Sequence, residues 1–174
     1  DVSASFAAVT WLLIEWNTGR KKPTFIGLMT GAVAGLATIT PAAGYVTVGT
    51  AAMIGVLAAT VCYFAVEFKN YMKWDDALDV WGVHGMGGVF GTIMLGLVAS
   101  NAINPGVADG ALWGGSWDLF GKEIVALLMA IVWASAFTWG TLVAINHFVK
   151  VKVSEEVQKD GLDFHVHGEI ARVI

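Results

Sequence analysis

Four stretches of this 174-residue chain hold no Asp, Glu, Lys or Arg over twenty or more positions. They cover residues 24–43, 46–66, 80–103 and 124–149. About 20 predominantly apolar residues suffice to cross a bilayer as a helix. In lipid the backbone N–H and C=O groups must be satisfied within the protein, which confines such runs to helices. A fifth apolar segment, 2–14, is shorter than a span. It reads as the end of a helix begun upstream, so the chain is expected to be part of a larger polytopic protein. The predicted fold class is all-α: a polytopic membrane helical bundle with about five transmembrane helices. Residues 1–150 form the bundle and 151–174 a polar tail.

Composition agrees. Hydrophobic residues make up 56% and charged residues 14%, against roughly 25% charged in an average soluble domain. A net charge of −4 offers no basic footprint for nucleic acid. Cys62 is the sole cysteine, which excludes an intrachain disulfide and a multi-cysteine zinc site. No G-x-S-x-G, phosphate loop, Rossmann glycine pattern or H-E-x-x-H occurs. No cofactor, metal or catalytic residue is therefore expected.

The connections set an orientation. Arg20, Lys21 and Lys22 follow the first segment, Lys69 and Lys73 lie between the third and fourth, and Lys150, Lys152 and Lys159 follow the last. The connections near Gly44 and across residues 101–117 hold neither Lys nor Arg. Basic residues concentrate on cytoplasmic loops, so these three basic regions, the C-terminus included, are predicted to be cytoplasmic in a cell-membrane protein.

Inside the spans, Gly27, Gly31 and Gly35 recur every four residues, a pattern that brings helix backbones close in lipid. Gly82, Gly85, Gly87, Gly88 and Gly91 form a second series, suited equally to packing or to lining a lumen. Among them stands His84. An ionisable side chain at membrane depth is costly and ordinarily faces a bundle interior or a pathway. A neutral imidazole offers one donor and one acceptor, enough to bind a polar solute or relay a proton. Val80, four residues earlier, is expected to share its helix face. Asp75, Asp76 and Asp79 precede this helix and suit capping of its free N–H groups. Asp76, eight positions from His84, is about 12 Å away along a helix, out of reach of the imidazole.

The run Asp79-Val80-Trp81-Gly82-Val83-His84-Gly85 resembles the tenth helix of the ammonium transporter (Amt/Mep/Rh) family. Glu15-Trp16, Lys21-Lys22-Pro23, the stretch 31–37 and Thr40-Pro41-Ala42-Ala43-Gly44 look like its seventh and eighth helices. Residues 153–156, 161–163 and 167–169 resemble the regulatory C-terminus of prokaryotic members. The resemblance implies helices seven to eleven of an eleven-helix, trimeric transporter built on inverted repeats. It implies a pore with a twin-histidine pair, His84 being the second repeat's member and Val80 lining the pore one turn below. Asp76 matches the family aspartate eight residues before that histidine, with Asp79 alongside it near the pore. In the tail it implies that Gly161, Asp163, His167 and Glu169 belong to a segment engaging a PII-type signal protein. Expected partners are then ammonium or ammonia, membrane lipid, two further copies of the chain and the N-terminal half of the transporter. The alternative is an ammonium sensor that signals through its cytoplasmic face.

Overall fold

A computed structural model describes residues 1–18 and 22–169. Arg20 and Lys21, used above for orientation, lie outside the described residues, as does the tail beyond Glu169. The described residues are helices, turns and loops, with no strand. They divide into two compact units, one of residues 1–128 and one from Met129 onward.

Helix α1 spans Val2–Asn17, α2 Phe25–Ile39, α3 Val48–Tyr71 and α4 Met86–Val98, the last entered through a π-helical turn at Trp81–Gly85. Helix α5 follows at Trp117–Phe148 and a short α6 at Glu155–Asp160. Among the described residues four segments are long and apolar enough to cross a membrane: Phe25–Ala42, Val48–Tyr71, Trp81–Val98 and Trp117–Phe148. The 16 residues of α1 extend about 24 Å, short of the roughly 30 Å hydrocarbon core.

In the first unit α1, α2 and α3 pack together, and α4 packs on α2 and α3. Glycine makes these approaches possible. A Cβ on Gly31 would lie 2.5 Å from Trp11 Cβ, and one on Gly35 2.6 Å from the Ser3 carbonyl oxygen. One on Gly55 of α3 would run into that same carbonyl. The Gly27 series is thus a packing face, as its spacing predicts. Trp11 meets Tyr63 edge-on at 5.3 Å, inside a core of Ala7, Ala34, Ala59, Cys62, Val66 and Val83. The Glu15 carboxylate is 2% exposed. It accepts from the Thr24 amide at 2.7 Å, while Thr24 Oγ1 accepts from the Gly27 amide at 2.8 Å. The end of α1 is thereby tied to the capped start of α2.

Two boundaries differ from the sequence expectation. The span expected to reach 103 ends at Val98, where Ala99 turns extended. Beyond it the Asn101 amide donates to Asp109 Oδ1 at 2.7 Å and the Asn101 side chain to the Val107 carbonyl at 2.8 Å. Short polar side chains offer the backbone an alternative to the helix, and apolarity alone does not reveal it. Helix α3 runs on to Tyr71, five residues past the apolar run. Its Lys69 is 5% exposed and therefore not a solvated loop cation. Lys122, in the first turns of α5, forms an exposed i,i+4 pair with Asp118 at 2.6 Å.

In the second unit, Ser154 Oγ accepts from the Val157 amide to cap α6. Gly161 ends that helix with φ +100, a conformation that side-chain-bearing residues resist. Residues Asp163–His167 form a second π-helical turn. Asp163, His167 and Glu169 are exposed.

Candidate pore-lining site

The site begins at the end of α3. Lys73 and Asp79 both adopt left-handed backbone, φ +55 and +56, and bracket the loop leading to the histidine helix. Such φ values are uncommon outside glycine, and Asp tolerates them better than most. Asp76 Oδ1 accepts from the Val80 amide at 2.9 Å and Oδ2 from the Trp81 amide at 2.8 Å. One carboxylate thus serves two of the N–H groups that a helix start leaves without partners. Asp79 does something else. Its Oδ1 receives Lys69 Nζ at 2.6 Å, and the same ammonium donates to the Asp76 backbone carbonyl at 2.7 Å. Phe68, Trp74 and Trp81 stand against one another beside this loop, with ring centroids 5.0–6.3 Å apart.

The histidine does not sit in regular α-helix. Trp81–Gly85 is a π turn, a wider coil that occurs mostly as single turns and frequently at functional positions. The glycines around it separate into two sets. A Cβ on Gly82 would lie 2.7 Å from Val66 Cγ2, one on Gly87 2.9 Å from Thr38 Oγ1, and one on Gly91 would overlap the Thr38 carbonyl oxygen. That side is packed against α2 and α3. Gly88 has open space where its Cβ would be, and one on Gly85 would stand in ordinary contact with Trp81 Cδ1 at 3.8 Å and the Val80 carbonyl oxygen at 4.0 Å. His84 and Val80 are both exposed on this open side. On the closed side Val83 is buried, and its carbonyl accepts from Cys62 Sγ at 3.7 Å.

Val80, His84 and Gly85 are exposed, Gly88 is half-buried with open space at its Cβ position, and Asp76 and Asp79 lie in the loop that leads to them. The tail residues Gly161, Asp163, His167 and Glu169 belong to the other unit. Sequence reading missed Lys69 and the structural part played by Glu15. Each is a charge close to the end of an apolar run, and periodicity gives no sign of where its side chain turns.

These features define a class: a polytopic helical membrane protein with one ionisable side chain on the open face of an otherwise apolar span. The particular family follows from comparison. The chain belongs to the Ammonium Transporter Family, whose model matches residues 2–172. It is 38% identical over 172 residues to an ammonium transporter of Bacillus subtilis (strain 168), covering 98% of this chain and 42% of that one. It is 38% identical over 171 residues to the ammonium transporter Amt1 of Archaeoglobus fulgidus, with the same two coverages. The crystal structure of Saccharomyces cerevisiae Mep2 matches with a TM-score of 0.81 at 31% identity, over 89% of this chain and 36% of its own. A structure described as a sensor Amt protein matches with a TM-score of 0.81 at 26% identity, over 95% of this chain and 40% of its own. The chain spans 42% of the length of these curated relatives.

Proposed function

We propose that this chain is the C-terminal part of an ammonium transporter, and that Val80 and His84 line one wall of its pore. The observation that carries the reading is the open face of the π turn, where an imidazole stands in a span with no other ionisable residue. An ammonium ion crossing an apolar lumen as a bare charge meets a barrier of at least several kcal/mol. The reading has ammonium recruited outside by groups in the N-terminal half and deprotonated at the constriction. Ammonia then passes two imidazoles, His84 and its twin from the first repeat. His84 supplies a hydrogen-bond partner and a station for the proton. Asp76 and Asp79 support this wall from below. The complete protein is a homotrimer in the cell membrane with its C-terminus in the cytoplasm. There the tail, through Gly161, Asp163, His167 and Glu169, meets a PII-type signal protein. The chain reads as part of a transporter, not as an enzyme.

The test is His84→Ala in the complete protein. Uptake of labelled methylammonium is expected to be abolished or strongly cut while the trimer stays folded. Uptake at the wild-type rate by a well-expressed variant sinks the assignment. A second reading, an ammonium sensor, is favoured by the likeness to the sensor Amt protein. It predicts a His84→Ala protein that fails to transport yet keeps an ammonium-dependent change in its cytoplasmic partner's state.

A further inference from the structure

The uncovered side of the π turn positions an imidazole, but nothing in the turn itself fixes how far that imidazole is rotated or displaced. Its lower end is held by the 72–79 loop, and the loop is held by one buried cation. We propose that Lys69 is a positioning residue for transport: its ammonium clamps the Asp76 carbonyl and the Asp79 carboxylate and so sets the start of the helix that presents His84. This inference rests on the reading of His84 as a pore residue.

The geometry supports a clamp with two jaws. Lys69 Nζ lies 2.6 Å from Asp79 Oδ1 and 2.7 Å from the Asp76 carbonyl oxygen. The lysine side chain is 6% exposed and that of Asp79 30%. The two anchor points are the residues that define the helix start. The Asp76 carboxylate holds the Val80 and Trp81 amides. The Asp79 carbonyl accepts from the Val83 amide at 2.8 Å, one residue before His84. Asp79 keeps a left-handed backbone at this point. Such conformations are strained and persist only where the surroundings over-determine them. The ammonium and the Val83 amide supply that constraint. A charge-balancing role alone requires the Asp79 contact but not the one to the Asp76 carbonyl. The second jaw is what separates positioning from neutralisation.

The two roles predict different rescues. Lys69→Met leaves the half-buried Asp79 carboxylate without its counter-ion and is expected to lower the melting temperature. The double variant Lys69→Met with Asp79→Asn removes both charges, leaves no unpaired ion behind and keeps a side chain that tolerates the left-handed backbone. Positioning predicts that the double variant recovers its melting temperature but not its transport. Its maximal uptake per folded molecule then stays roughly tenfold to a hundredfold below wild type, the scale of ångström-level misplacement, with the KM for methylammonium little changed. Lys69→Arg retains donors for both jaws and is expected to recover most of the rate. The measurements are thermal unfolding and initial rates of methylammonium uptake in proteoliposomes holding the complete protein. Wild-type transport by a folded double variant overturns the proposal. So does loss of transport in a folded Lys69→Arg protein, which decides the matter if the double variant does not fold. His84→Ala is assayed in parallel. Normal uptake by that variant shows that the pore reading itself has failed. Its loss of uptake beside normal uptake by the double variant shows that only the clamp has failed.

Discussion

Asp76 and Asp79 are three residues apart in one acidic cluster, yet they do unrelated work. Asp76 spends both carboxylate oxygens on the Val80 and Trp81 amides, whereas Asp79 pairs with a lysine ten residues earlier. The difference is one of direction. Asp76 stands ahead of the helix, where the free N–H groups point, and Asp79 takes a left-handed turn that sends it toward α3. Asp76→Ala is therefore expected to destabilise the complete protein by about 1 kcal/mol, the usual cost of a lost cap. A fall in melting temperature together with a matching fall in folded yield is the expected result, measured by thermal unfolding in detergent. A variant with unchanged melting and no transport shows instead that the carboxylate acts in the pore. Capping by this cluster was legible in the sequence because acidic residues ahead of an apolar run have few other structural uses. The split between the two aspartates was not, since Lys69 looks from sequence like any solvated loop cation.

Glycines one to nine positions apart on one segment can serve opposite purposes, and their place around the helix axis decides which. On the Trp81–Val98 segment Gly82, Gly87 and Gly91 face neighbouring helices, while Gly88 faces open space and Gly85 meets only atoms of its own segment, no nearer than 3.8 Å. An added Cβ at Gly91 overlaps the Thr38 carbonyl and stands 3.2 Å from Pro41 Cδ. Backbone on one side and a proline ring on the other leave little room to yield. Gly91→Ala is expected to cost about 1–3 kcal/mol through overpacking, more than the ~1 kcal/mol an alanine gains in helix propensity. Gly88→Ala meets nothing and is expected to fold at least as well as wild type, while slowing transport by narrowing the proposed lumen. Thermal unfolding and methylammonium uptake of the two variants, compared side by side, check this. Equal melting temperatures for both sink the division of faces. The helices themselves were readable from runs of twenty or more uncharged residues, because lipid permits such runs few other structures. The π turn was not readable. A turn wound one residue wider leaves the composition and the apolar pattern unchanged, so the four-residue spacing of Val80 and His84 was read as α-helical. The helix end at Val98 was missed for a similar reason. Asn101 and Asp109 capture backbone groups across eight residues, a pairing that no local pattern marks.

At the scale of the whole molecule, the segment after α5 has a structure of its own that owes nothing to lipid. Ser154 caps α6, and Gly161 turns the chain at φ +100. His165 Nε2 then meets Asp160 Oδ2 at 3.1 Å, bridging helix and turn. The polar character of this segment was expected from its charges, and the turn from Gly161. Its exposed Leu162, Phe164 and Val166 were not. They alternate with polar residues in sequence and are apolar enough to anchor on a protein surface. On the proposed reading of a docking tail, these three would supply apolar contacts, and Asp163, His167 and Glu169 polar ones. Deleting residues 161–174 from the complete protein is therefore expected to lower or deregulate ammonium uptake and to weaken binding of a PII-type protein. The four membrane-length helices precede the cut, so folding of the membrane domain should survive. A pull-down of PII protein with full-length and truncated transporter, beside uptake assays on both, measures each effect. Equal binding and equal transport by the two forms remove the tail from regulation. Loss of folded protein on truncation shows instead that the tail supports the helical bundle.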